Sequence, residues 1–249
     1  MTRTVIAIDG PEAGAFLQGL VTNDIHRAEA DGIAYAALLT PQGKYLADFF
    51  IVARPDGFWL DADEGQAAGL MQRLSMYKLR SNVTLSPAAV SVSRGTGAPP
   101  ASALPDPRHP ALGWRLYGAG DAPGDDGTDW DAVRVAHVIP EAGIELIPNE
   151  TFILEAGFER LHGVDFRKGC YVGQEVTARM KHKTELRKGL MQVAISGSAP
   201  AGTPITRDSR EVGTLFTQSG GAAIAQMRYD RMGPDMMADD AAISAVPPG

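Results

Sequence analysis

The chain has 249 residues, 44% hydrophobic and 21% charged, with 23 Lys and Arg against 30 Asp and Glu and a single cysteine, Cys170. One cysteine excludes an intrachain disulfide framework and a cysteine-only metal site, and a net charge of −7 excludes a broad phosphate-binding face, because nucleic-acid affinity rests on many Lys and Arg neutralising phosphates. The N-terminus MTRTVIAIDGPEAGAF lacks a signal-type apolar core, and the longest apolar run, Ile33–Leu39, falls far short of a membrane span, so the expected location is the cytoplasm with no membrane partner.

Val5–Ile8 reads as a strand, and Asp9-Gly10-Pro11 opens a helix over about Glu12–Leu20, with Pro11 in the first turn, where its missing N–H costs nothing. Two β-runs, Ile33–Thr40 and Tyr45–Arg54, joined by Pro41-Gln42-Gly43-Lys44, lead to a third, Phe58–Asp61, as an antiparallel meander. Residues 64–80 carry Leu70, Met71, Leu74, Tyr77 and Leu79 at helical spacing, and strands at Val83–Leu85 and Val90–Ser93 complete an N-terminal α+β domain over residues 1–94. Residues 95–111, dense in proline and glycine, predict a surface linker without regular structure. A second α+β domain over residues 112–187 comprises a strand at Trp114–Tyr117, a polar loop Gly118–Thr128, a helix Trp130–Val138 stopping before Pro140, irregular chain over Ile144–Asn149, a helix near Phe152–Phe158 and a helix from Tyr171 to about Lys181. Short β-runs at Leu190–Ile195, Thr203–Arg207, Val212–Gln218, Ala222–Arg228 and Ala242–Val246 predict a small C-terminal β-barrel over residues 188–249.

The chemistry concentrates between Asp165 and Arg179. Gly169 lets the backbone turn, and Cys170 is expected at the N-terminus of the following helix, where unpaired N–H groups and the flanking Arg167 and Lys168 lower a thiol's pKa. Glu175 and Arg179 stand one turn apart and are spaced to pair.

The run Lys168-Gly169-Cys170-Tyr171-Val172-Gly173-Gln174-Glu175 resembles, without a gap, the K-G-C-[YF]-x-G-Q-E signature of the YgfZ family, folate-binding relatives of the glycine cleavage T-protein. Further blocks resemble that family in order: Phe16–Asp24, Leu39–Lys44, Tyr77–Val83, Ile147–Glu150, Val212-Gly213 and Ala225–Arg228. The resemblance implies a three-lobed aminomethyltransferase-type α+β fold around a central cavity, tetrahydrofolate or a one-carbon derivative as ligand, and support of iron–sulfur cluster assembly or repair in client enzymes, including ones that thiolate tRNA. Cys170 is then the functional thiol, with Lys168 beside it in the catalytic set, and the protein need not carry a cluster itself. The alternative implied is a tetrahydrofolate-dependent aminomethyl- or one-carbon transferase.

A pterin's paired donors suit a carboxylate, and its anionic tail suits Arg or Lys. The candidates for pterin contact are Glu175, Glu155, Asn23 and Gln18, with Gln174 and Tyr171 from the signature, and those for the tail are Arg179, Arg80, Lys44 and Arg134. The five histidines, His26, His109, His137, His162 and His182, show no metal-ligand spacing, so no metal site is expected. A Cys170–His162–Asp165 hydrolase triad is the residual reading. The basic run Arg179–Lys183, with Arg187 and Lys188, reads as a helix end rather than a nucleic-acid contact. Met227, Met232, Met236 and Met237 read as packing for the barrel.

Overall fold

Every residue of the apolar run Ile33–Leu39 is buried, which requires cover on both faces and pairing along both edges. In the computed structural model, which describes residues 2–118, 126–183 and 185–246, this run is strand β2, and the chain divides into two compact units.

The first unit spans residues 1–128, 148–150 and 158–178. Its elements in order are β1 (Arg3–Asp9), α1 (Ala13–Gln18), α2 (His26–Asp31), β2 (Ile33–Leu39), β3 (Tyr45–Arg54), β4 (Gly57–Asp63), α3 (Glu64–Lys78), β5 (Thr84–Ala88), β6 (Ser91–Gly95), β7 (Leu104–Pro105) and β8 (Trp114–Gly118). The expected meander is present. Strands pair antiparallel in the order β2-β3-β4-β1-β5. Side chains alternate across a strand, so Ile6, Ile8, Phe49, Ile51 and Leu60 share one face and pack against Phe16 and Leu17 of α1, Ala28 of α2, and Leu70 and Leu74 of α3. The Asp63 carboxylate caps α3 by accepting the Gly65 N–H at 2.9 Å. The first helix is shorter than expected, Ala13–Gln18, and Pro11 lies ahead of it.

The opposite sheet face carries charge. Asp61 is fully buried and accepts from Arg3 Nε at 2.6 Å, from Tyr117 Oη at 2.9 Å and from Arg115. Asp106 takes a bidentate pair from Arg108 at 3.0 and 2.8 Å. The guanidiniums of Arg115 and Arg108 lie 3.8 and 4.8 Å from the centre of the Phe50 ring. The proline-rich stretch therefore differs from the expected surface linker. It adds β7 to a sheet of order β6-β8-β7 and delivers Asp106 and Arg108 to a buried charge layer. Of the polar loop Gly118–Thr128, residues 119–125 lie outside the described residues.

β2 is an edge strand, and the segment after α1 closes that edge. Val21 bridges Leu38, Thr22 N–H donates to Ala37 O at 3.0 Å, Ala37 N–H donates to Thr22 Oγ1 at 2.9 Å, and Asn23 Nδ2 donates to Tyr35 O at 2.8 Å. A buried edge left unpaired would be costly, and residues 21–23 satisfy it in place of another strand.

The second unit spans residues 129–147, 151–157 and 179–249. It carries α4 (Trp130–His137), as expected, with Asp129 as its cap. Arg134, on α4, is buried and pairs with Glu145 at 2.5 Å and Glu141 at 2.9 Å, which removes it from the anionic-tail candidates. The helix expected near Phe152–Phe158 is a series of turns. Ile153, Leu154, Ala156 and Phe158 are all buried, leaving no solvent face for a helix, and Gly157 takes φ +79°. After α5 (Gln174–Lys183) come β9 (Lys188–Ser196), β10 (Pro204–Arg207), β11 (Arg210–Ser219), β12 (Ala222–Arg228), β13 (Met236–Ala238) and β14 (Ala241–Ala245). They form a closed barrel in the order β10-β11-β12-β9-β14-β13, one strand more than the five β-runs read from the sequence. Met227 and Met236 sit in its core with Val193, Ile205, Leu215 and Ile243, while Met237 is exposed.

Candidate functional site

The signature segment is pinned to the end of α1 by a buried lysine. Lys168 Nζ donates to Gln18 O at 2.8 Å, a carbonyl left without a helical partner where α1 stops, and to Val21 O at 2.5 Å in the segment that follows. Its ammonium also lies 5.0 Å from the centre of the buried Tyr171 ring. Alongside, Thr22 Oγ1 donates to Gly163 O at 2.6 Å, Asp165 N–H donates to Thr22 O at 3.0 Å, Asn23 Nδ2 donates to His162 O at 2.7 Å, and Arg27 pairs with Asp165 at 2.8 Å. The same few residues that close the β2 edge thus hold residues 162–168 on their other side.

Burial pulls the Lys168 ammonium down to about 8, with Asp24 and Asp165 partly offsetting it. An unfolded lysine titrates near ~10.4, so between these values the unfolded chain holds the proton that the folded chain has released, and this group makes stability rise with pH across that window. An NMR titration of the Lys168 side-chain nitrogen is expected to show a midpoint of about 8. In urea unfolding, Lys168→Met is expected to remove the rise; a rise that persists unchanged contradicts the assignment.

Glycine sets the other half of the geometry. Gly173 takes φ +83°, and a Cβ there would stand 2.6 Å from Thr40 O. Gly43 takes φ +74°, and a Cβ there would stand 2.9 Å from Val176 Cβ. The β2–β3 turn and the start of α5 interlock at these two positions because neither glycine has a side chain. On the same turn, Lys44 Nζ donates to Glu150 O at 2.7 Å, and Asn149 N–H donates to Tyr45 O at 2.8 Å. The blocks Phe16–Asp24, Leu39–Lys44, Pro148–Glu150 and Lys168–Glu175 therefore meet in the first unit.

Cys170 is exposed on this junction between buried Lys168 and buried Tyr171. α5 begins at Gln174, so the thiol precedes the helix rather than sitting on its first turn, and the dipole argument for it loses its geometry. The sharp turn belongs to Gly173; Gly169 stands in open space without positive φ. Tyr171 is a packing residue whose hydroxyl burial pushes up to about 12. Gln18 spends its amide on Asp24 at 3.1 Å and on the Ile25 N–H at 3.1 Å. Asn23 spends both amide N–H groups on carbonyls and its oxygen on the Asp24 N–H. Gln174 and the exposed Glu175 open α5, Arg179 is exposed further along it, and no Glu175–Arg179 ion pair is found among the described residues. Arg80 is not brought to the junction; it borders a depression at the end of α3. Asp165 is held by Arg27 and the Arg167 N–H, and no hydrogen bond links Cys170, His162 and Asp165 among the described residues. The hydrolase triad is therefore not assembled.

Next to Asn23 opens a cavity of about 460 Å³ lined by Arg27, Asp31, Tyr35, Pro107 and His162 among others. Arg27, Asp31 and the stitching residue Thr22 are the candidates that sequence reasoning missed, and Asp165, read there only as a triad member, is a stitching residue as well. The only signal for them was their place in or beside the Phe16–Asp24 block and the signature. Among the described residues, no group of three or more His, Cys, Asp or Glu is placed to hold a metal ion.

Residues 187–249 match the family model described as the CAF17 C-terminal beta-barrel domain. The glycine cleavage system aminomethyltransferase T of Bartonella henselae shares the fold, with a TM-score of 0.76 over 97% of this chain and 81% of that one at 14% identity. The mitochondrial iron-sulfur cluster assembly factor IBA57 of Homo sapiens is 30% identical over an alignment covering 92% of this chain and 76% of that protein. The chain belongs to the IBA57 family. The IBA57 homolog of Mycosarcoma maydis, also mitochondrial by name, is 31% identical over 91% of this chain, which spans only 63% of that relative's length. The α+β fold of aminomethyltransferase type with a small C-terminal barrel is as expected. The relatives named here are IBA57 proteins, and they do not support YgfZ specifically. The cytoplasmic expectation is overturned, because these IBA57 relatives are mitochondrial proteins. No helix among the described residues is long and apolar enough to cross a membrane.

Proposed function

We propose that this IBA57-family chain supports assembly or repair of iron–sulfur clusters in client enzymes, with Cys170 as the working thiol and tetrahydrofolate or a one-carbon derivative as ligand. The observation that carries the reading is the setting of Cys170: an exposed sulfur on a segment fastened by Lys168 beneath it and by the Gly173–Gly43 interlock after it. One thiolate supplies one iron ligand, so a cluster touching Cys170 must draw its remaining ligands from a client or carrier. The cluster is cargo, and the chain's contribution is a sulfur held in a fixed place. The YgfZ-like signature extends the proposal to clients that thiolate tRNA.

The cavity beside Asn23 fits a reduced pterin in volume and donor set. Asp31 would accept the pterin's paired N–H groups and Arg27 would meet the anionic tail, with Asn23 acting as a wall because its amide is committed. Bound folate would supply a one-carbon carrier. Tetrahydrofolate at about 100 times its Kd is expected to raise stability by about 2.7 kcal/mol in a thermal-shift assay. Asp31→Asn is expected to reduce that shift, and Cys170→Ala to leave it unchanged. No shift at saturating tetrahydrofolate removes the ligand from the proposal; the thiol is judged by its own test.

A further inference from the structure

Helix α3 ends on apolar side chains that the first unit does not use. Met76 is 64% exposed and Leu79 87% exposed, the most exposed large apolar residues described. Leu79 takes φ +40° at the C-cap, a position where glycine or asparagine is the economical choice. A leucine held in that conformation with its side chain in water contributes nothing to the core of its own chain.

The charge around these two side chains is mostly positive, three cations against one carboxylate. Arg73 and Arg80 stand three residues before and four after Met76, Lys78 adjoins Leu79, and among the described residues none of the three cations is in an ion pair. Beside Leu79 and Arg80 lies a depression of about 650 Å³, bordered also by Tyr77, Ser81 and Glu12. The one acid there, Glu12, is committed, accepting the Asn82 N–H at 2.6 Å. This is a cationic patch with an apolar centre on a chain whose net charge is −7, so the patch opposes the sign of the molecule that carries it.

We propose that the end of α3 is a docking surface for an acidic segment of a partner protein, one that presents apolar side chains about one helical turn apart between Asp and Glu residues. Met76 and Leu79 are the apolar anchors, Arg73 and Arg80 the flanking charges. Exposed apolar residues ringed by one charge mark interaction sites, and the surrounding cations select the partner by sign.

The test uses the full chain and a fluorescein-labelled synthetic helix with leucines at i and i+4 in an otherwise Asp/Glu-rich sequence, read by anisotropy at physiological ionic strength. Binding is expected to weaken by at least about tenfold in the doubly substituted Met76→Ser/Leu79→Ser chain and in the Arg73→Glu/Arg80→Glu chain. It is also expected to vanish for a control peptide with serine in place of leucine. Leu79→Gly separates anchor from backbone: its melting temperature is expected to equal or exceed that of the unchanged chain while peptide affinity falls. Three results overturn the proposal. They are no binding of the acidic peptide, binding indifferent to both double substitutions, or binding only of phosphatidylcholine/phosphatidylglycerol vesicles, which would make the patch a membrane contact. Concentration-dependent dimerisation abolished by Met76→Ser/Leu79→Ser would overturn it in favour of a second copy of this chain.

Discussion

Asp61→Ala is expected to lower the stability of the first unit by about 3–5 kcal/mol, because it leaves the buried Arg115 and the partly buried Arg3 without their shared carboxylate. Arg3 reaches Asp61 at 2.6 Å, Arg115 pairs with it from β8, and Tyr117 Oη donates to it at 2.9 Å, so one side chain joins β1, β4 and β8. Arg115 stacks on Phe50, and without Asp61 it keeps only the longer pairing with Asp106 at 3.6 Å and its hydrogen bond to Tyr117 Oη at 3.1 Å. The pH dependence has a definite sign. Burial alone would raise the Asp61 carboxyl, but Arg115 and Arg3 outweigh it and hold it below the ordinary range. This contribution is fully present above the unfolded carboxylate value of ~3.9 and is lost as pH falls through the lower folded value. In urea unfolding at neutral pH, Asp61→Ala and Arg115→Ala should each be costly, and the double variant should lose clearly less than the two losses added. A loss below ~1 kcal/mol for Asp61→Ala would place the pair among surface ion pairs and contradict the buried layer.

That layer was hidden in the sequence for a physical reason. Alternation and helical spacing are local, and they were enough for the meander, for α3, for α4 and for most of the barrel. Asp61 meets Arg115 only because β8 comes back to the sheet, and residues 95–111 read as a linker because proline and glycine density reports on local regularity and is blind to burial. Strand β13 covers three residues, too few to show a period, and its methionines gave no β signal. The segment near Phe152 showed an apolar run compatible with a helix, but burial on all sides favours turns.

The candidate site was legible to the same extent. The signature marked the segment that the structure fastens to the end of α1 and on which Cys170 is exposed. The partners of Lys168 are the carbonyls of Gln18 and Val21, about 150 residues away, and backbone carbonyls leave no mark in a sequence. The choice between Gly169 and Gly173 as the turning glycine depends on Thr40 O, which no spacing rule brings near. Asn23 and Gln18, candidates for pterin contact by sequence, are spent on holding chain together.

On the proposed function, Cys170→Ala is expected to have the largest functional effect. The side chain is exposed and makes no hydrogen bond among the described residues, and surface substitutions of this kind stay within about 0.5 kcal/mol. Loss of function without loss of fold is therefore the expected pattern, unlike that of Asp61→Ala. Cys170→Ser should behave as Cys170→Ala does, because an alcohol keeps the shape and loses the soft iron ligand.

The most direct measurement places the Cys170→Ala chain in a strain that lacks its own member of this family and assays a dependent iron–sulfur enzyme. The variant should accumulate and melt like the unchanged chain while enzyme activity stays at the level of the strain with no added protein. Activity restored to the level given by the unchanged chain would contradict the role assigned to the thiol.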